Sequence, residues 1–281
     1  MILINNKLFT TNQLTSSTLT AEEIEMIERM SRYQEIYSFF SIDHFHFVLH
    51  LRQSIIQASR LLYSSKARFS TFKNARCNQT YWNLTQQGGF KLKTGVIPSE
   101  AIQDIFENGS KYSFECATAI VILFYKAVLD SINLDQFNRI YQGIYLRDWQ
   151  SDEDLPIFSK QGNDYLPGDC LYFNNPEFDP NQSQWRGENA IDLGNGLYYG
   201  HGIGIKTAEA IIEALNKRRK PNSTESAYLL SQVTRIDNRY LYQFANQSHG
   251  RSGTPNFIID NRVVAKIGHH SFCDEQKSIY V

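Results

Sequence analysis

The sequence has almost no charge imbalance: 28 Lys and Arg stand against 29 Asp and Glu, a net charge of −1. No general field is therefore available to hold nucleic acid or an acidic membrane surface. It also lacks any CxxC pair. The four cysteines, at positions 77, 116, 170 and 273, form no cluster with histidine at zinc spacing. Free thiols in a reducing compartment are the expectation, not a disulfide framework. The longest apolar run falls far short of the roughly 20 residues that a spanning helix needs. Residues Met1 to Lys7 lack a basic region followed by an apolar core, so no secretory signal is expected, and the Asn-x-Ser/Thr triplets at Asn78, Asn83 and Asn108 carry no weight. Internal repeats are absent.

What is present is a chain of 281 residues, 42% apolar, which fits one large or two small globular domains. The stretch Tyr112-Ser113-Phe114-Glu115-Cys116-Ala117-Thr118-Ala119-Ile120 stands out. Ser113 is an N-cap candidate, Asn108-Gly109-Ser110 is the loop ahead of it, and the run from Ala119 to Tyr125 is a buried helix. Cys116 then falls in the first turn, where free N–H groups and the dipole lower a thiol's pKa and favour the nucleophilic thiolate. A small buried thiol that only packs fits the same stretch.

Helices are expected from Thr20-Ala21-Glu22-Glu23, from Ser38 to about Leu62, from Pro98 to Phe106, from Leu134 to Tyr141, after a Thr207 cap, and from Glu225 to about Arg235. Residues 66–94 alternate and predict a small antiparallel sheet, and Ile144 to Trp149 is strand-like. His46 and His50 lie one helical turn apart, near His44, but no third ligand accompanies them, so no metal site is expected. Cys170, inside an apolar strand after Asp169, is expected to be a packed thiol. Lys217-Arg218-Arg219-Lys220 is a solvated helix end in preference to a nucleic-acid site. Asn246 to Gly253 has linker composition, and a terminal hairpin is expected across Asp260-Asn261.

A cysteine nucleophile needs a base within reach and often a third group to orient it. The hairpin of Glu188–Leu193 and Leu197–Ile205 supplies candidates. If Gly194-Asn195 closes it as a two-residue turn, Glu188 and His201 stand directly opposite, with Cβ atoms roughly 5 Å apart on one face; a one-residue shift of the turn alters the pair. Taken singly, Glu188 fits a surface carboxylate and His201 a satisfied histidine. A helix-start cysteine facing a sheet that carries acid and imidazole is a papain-like layout.

The residues also carry a family likeness. Phe114-Glu115-Cys116-Ala117-Thr118-Ala119-Ile120-Val121-Ile122 resembles the active-site segment of the spore coat protein-glutamine gamma-glutamyltransferases of bacilli. So do Gly168-Asp169-Cys170-Leu171-Tyr172-Phe173, Asn175 to Pro180, Gln184-Trp185-Arg186-Gly187-Glu188-Asn189, and Ser226 to Gln232, in order from about residue 45 to about 240. The resemblance implies an α+β fold with a papain-like core: a central antiparallel sheet packed against helices, the cysteine at a helix N-terminus. It implies one catalytic domain over 1–242, helical at its start, and an extension over 243–281 outside the family pattern. It implies Cys116, Glu188 and His201 as catalytic residues, with Glu115 able to assist or substitute for Glu188. No metal, calcium or other cofactor is implied.

The implied reaction is acyl transfer from a protein glutamine to a protein lysine through a thioester, with Glu188 carrying protons and His201 supporting it. Trp149, Tyr172 and Trp185 are expected to wall a channel that keeps water from the thioester. Protein substrates bearing Gln and Lys are the expected partners, with no nucleic acid or membrane, and a monomer is expected. The expected location is the spore coat, after synthesis in the mother cell cytoplasm. Two other readings stay open. One is a papain-like hydrolase of cell-wall peptides, and the other is a non-enzymatic coat protein that keeps the fold.

Overall fold

The computed structural model describes residues 1–9, 19–245, 262–267 and 270–275. At the start, β1 (Ile2–Ile4) pairs antiparallel with β2 (Lys7–Leu8) and parallel with β3 (Tyr37–Phe39). Between them runs α1 (Ala21–Arg32). The Thr20 hydroxyl accepts from Glu23 N and the Glu23 carboxylate accepts from Thr20 N, the reciprocal cap that Thr-x-x-Glu predicts. Next, α2 (Ile42–Ser64) is capped by Ser41, so it begins later than Ser38.

The region 66–94 divides. Only β5 (Trp82–Leu84) and β6 (Phe90–Leu92) form the expected antiparallel pair, whereas β4 (Arg68–Phe69) pairs parallel with β7 (Ser113–Phe114). Helix α3 (Pro98–Glu107) opens on its proline. Then come α4 (Cys116–Ser131), α5 (Leu134–Ile140) and β8 (Tyr145–Leu146), which joins β6. Nearly every side chain of α4 is buried, as an all-round apolar helix requires, and it packs along α2. Burying each of Leu123 and Phe124 contributes about 1.5–3 kcal/mol.

The central sheet holds β9 (Ile157–Gln161), β10 (Cys170–Asn174), β11 (Gly187–Asp192), β12 (Leu197–Gly200), β13 (Gly204–Thr207) and β14 (Tyr228–Ile236). Helix α6 (Ala208–Asn216), capped by Thr207, precedes β14, and α7 (Asn238–Tyr242) follows it. The strand order is β13-β12-β11-β10-β14-β9, and every adjacent pair is antiparallel. This is the α+β class, with an antiparallel sheet against helices and the cysteine as first residue of one of them.

Two expectations fail here. The helix expected over Glu225–Arg235 is strand β14. Leu229, Val233 and Ile236 are spaced as a helix face would space them, but the segment lies between β10 and β9, which satisfy its backbone on both sides. The second strand of the hairpin is also shorter than expected, because the chain turns back at residues 201–203 to begin β13.

The chain divides into two compact units, Met1–Asn246 and Gln247–Val281. In the second, β15 (Arg262–Ile267) and β16 (His270–Glu275) pair antiparallel from Arg262↔Glu275 to Ile267↔His270. Arg262–Val264 pairs with Cys273–Glu275, and the turn expected at Asp260-Asn261 lies outside the described residues. The strand expected at 257–259 and the linker expected at 246–253 lie outside the described residues.

Candidate active site

Cys116 opens α4 with its sulfur partly open to a cavity of about 710 Å³, although protein surrounds it on most sides. The cap is Glu115, not Ser113. The Glu115 carboxylate accepts from Ala117 N at 2.9 Å, Thr118 N at 2.6 Å and the Thr118 hydroxyl at 2.7 Å. Ser113 belongs to β7 and its hydroxyl donates to Asn74 O. The cap must stand immediately before the first helical residue, and the carboxylate there reaches both free amides.

This reverses one electrostatic expectation. The N–H groups that would have favoured a thiolate are taken by Glu115, and Glu115 Oε2 is also 3.6 Å from the sulfur. Burial, then the charges of Glu188 and Glu115, push the Cys116 thiol well above its usual range; the N–H donors of Asn189 pull it back only in part.

The hairpin register differs by one residue from the two-residue turn. Gly194, Asn195 and Gly196 all take left-handed φ (+78°, +53° and +72°) and make a three-residue loop between Leu193 and Leu197. The pairs are Ala190↔Gly200, Ile191↔Tyr199 and Asp192↔Tyr198. Continued by one residue, this register sets Asn189 against His201, not Glu188. A slip of one exchanges the faces of a strand. Across β10, Asn189 stands opposite Tyr172 and Glu188 opposite Phe173. Asn189 is the residue that meets the thiol, with Nδ2 at 3.6 Å from Sγ.

Glu188 is buried and lies over Gly200, where a Cβ would come within 2.6 Å of Glu188 Oε1. The missing side chain at position 200 makes the room. Glu188 Oε1 has no hydrogen-bond partner. Burial, then the Glu115 charge, push Glu188 up to about 8 against a smaller opposing pull from Arg218. It shares no hydrogen bond with Cys116, but its charge acts on the thiol through a medium that screens little.

His201 is buried as well. It stacks on Phe114 at 4.5 Å, its Nδ1 pairs with the Tyr199 hydroxyl at 3.0 Å, and its Nε2 has no well-formed hydrogen bond. Burial pushes it down to about 4, so the imidazole is neutral. No hydrogen bond joins it to Cys116 or Glu188, and the direct Glu188–His201 pair expected from the turn is not formed.

Trp149 and Tyr172 line the cavity with Phe69, Phe72 and Asn189. Thr118 ties Trp149's loop to α4, because its hydroxyl accepts from Asp148 N at 2.8 Å. Trp185 is not on the wall. It stacks on Phe69 at 5.5 Å and carries the Arg218 guanidinium 3.9 Å above its ring. Cys170 is buried in β10 at the cavity floor. The basic run 217–220 uses its charges locally, Lys217 on Glu213 and Lys220 on Glu177. His44 stacks on Phe40 and bonds Asn238, and His50 pairs with the Asp130 carbonyl. Among the described residues no group of three or more His, Cys, Asp or Glu is placed to hold a metal ion.

A cysteine on the wall of a cavity, with one carboxyl beside it and a second buried within reach of its charge, fits acyl chemistry, and comparison with known proteins narrows it. Residues 1–245 match the family model of protein-glutamine gamma-glutamyltransferase. The chain belongs to that family. It is 44% identical over 250 residues to a protein-glutamine gamma-glutamyltransferase of Bacillus cereus strain B4264, covering 89% of this chain and 91% of the relative. A namesake from Bacillus pumilus strain SAFR-032 is 45% identical over 243 residues, covering 86% and 98%. Among solved structures, a transglutaminase from Geobacillus stearothermophilus without its C-terminal extension superposes with a TM-score of 0.71 at 52% identity, covering 73% of this chain and 99% of the other. The present transglutaminase is accordingly an acyltransferase acting on protein glutamine. Of the residues around its sulfur, Asn189 carries no sequence signal, because nothing in the chain says which face of β11 the thiol meets.

Proposed function

We propose that this chain cross-links proteins through a thioester on Cys116, without calcium. The supporting observation is the pair of raised groups: a protonated thiol and a buried carboxyl at about 8 within reach of its charge. Glu188, which makes no direct hydrogen bond with the sulfur, takes the thiol proton through one intervening water as sulfur attacks the carboxamide carbon of a glutamine side chain. It returns that proton to the leaving nitrogen, and ammonia departs. A lysine ε-amine then attacks the thioester, gives its spare proton to Glu188, and an isopeptide bond replaces the C–S bond. His201, neutral and held by Phe114 and Tyr199, supports the site as an uncharged neighbour. Trp149 and Tyr172 keep water from the thioester, and Trp185 acts through Phe69.

The test is incubation with a glutamine-bearing protein and a labelled primary amine, with chelator present. Label incorporation with ammonia release supports transfer. Ammonia release without incorporation would assign the site to hydrolysis. Cys116→Ala should abolish both, and intact activity in that variant would leave the fold as a scaffold. Trp149→Ala should shift the balance toward hydrolysis severalfold. The proposed setting is the spore coat, with coat proteins as substrates and the enzyme a monomer. Loss of coat cross-links on deletion and the mass in solution check these two points.

A further inference from the structure

Two carboxyls crowd the Cys116 sulfur, and the first-turn amides that would oppose them are occupied by Glu115. Something else must hold the negative charge when the proton leaves. The groups that face the sulfur or line its cavity are Glu115 from its own helix, Glu188 from β11, Tyr172 and Cys170 from β10, and Asp148 and Arg186 from flanking loops. None of these donates a hydrogen bond to it. Asn189 does, through Nδ2 at 3.6 Å.

We propose that Asn189 is the donor that holds the Cys116 thiolate. This rests on Cys116 being the nucleophile. The backbone N–H of Asn189 is the second influence favouring the thiolate, so one residue supplies both. The strand geometry explains how. Asn189 sits opposite Tyr172 and lines the cavity, while its neighbour Glu188 turns over Gly200, off the cavity wall, with its charge within reach of the sulfur. Adjacent residues of one strand thus divide the work: Glu188 accepts the proton, and Asn189 holds the charge left behind.

The experiment follows alkylation of Cys116 by iodoacetamide in the full-length protein, read by mass spectrometry on the peptide that carries it, from pH 6 to 10. Asn189→Leu keeps the size of the side chain and removes the donor. It should be alkylated about tenfold more slowly at pH 8, and should need about one pH unit more to reach the wild-type rate, since one unit is a tenfold change in thiolate. Asn189→Asp keeps the shape, loses the donor and adds a like charge, so it should be slower still. An Asn189→Leu rate equal to wild type across the range would overturn the proposal. If that variant fails to fold, Asn189→Asp decides the matter, and a wild-type rate there overturns it too. Neither result touches the transferase reading, which stands or falls on amine incorporation in wild type and Cys116→Ala.

Discussion

Glu188 holds a proton under conditions where a surface glutamate has none, because burial and the Glu115 charge push it up to about 8. Only its ionised form can take the thiol proton. Ammonia release from a glutamine peptide, measured without added amine, should therefore climb with pH around a midpoint near 8. Glu188→Gln should lose that limb and fall by about 10²–10⁴-fold, the usual worth of a placed acid-base group. The same group sets a stability trend. Its folded pKa lies above the unfolded value of 4.5, so the folded state binds the proton more tightly. Its contribution is fullest below about 4.5 and is lost as pH rises through about 8. Glu188→Gln should consequently melt higher than wild type at pH 9, by about 2–4 °C per 1 kcal/mol in a domain of this size, and the lead should vanish near pH 4. A Tm difference that stays flat with pH would refute the buried-acid assignment.

At the scale of elements, the cavity wall depends on how β10 is anchored. Asp169, just before that strand, is fully buried and bonds Arg52 at 2.8 Å and Arg235 of β14 at 2.6 Å. Burial works against this carboxylate, but the two guanidiniums outweigh it and hold its pKa below the usual range. Asp169→Asn removes the buried charge that Arg52 and Arg235 share, leaving Arg235 only Asp164 and Arg52 only the Pro167 carbonyl, and should cost about 3 kcal/mol, a fall in Tm on the order of 10 °C. Thermal melting of the variant at pH 7 checks this. What the sequence made legible follows the same division. The α4 run, the Thr20 and Thr207 caps and the Pro98 start are local signals, and local physics decided them. The α4 cap lies two residues beyond the expected Ser113, since Glu115 is a less usual cap than a serine. Strand β14 was misread because its apolar residues fit both periods, and only its neighbours β9 and β10 settle the matter. The hairpin was visible, but Gly194, Asn195 and Gly196 all tolerate left-handed φ, so its loop length was not. That one residue decides whether Glu188 or Asn189 stands opposite His201.

At the scale of the molecule, the unit Met1–Asn246 and the family match over 1–245 end together. A chain cut after residue 245 should keep the melting temperature of the first unit and incorporate labelled amine within about twofold of the full chain. A larger loss would assign the second unit a part in catalysis.

The placement of β14 between β9 and β10 has a bearing on how the protein is born. Both flanking strands are made before it, and the edge of β10 away from β11 stays open for a partner some fifty residues downstream. Until then the floor beneath the sulfur has no middle. A chain that has not yet made β14 lacks the part of the cavity lining that Leu230, Gln232 and Thr234 supply.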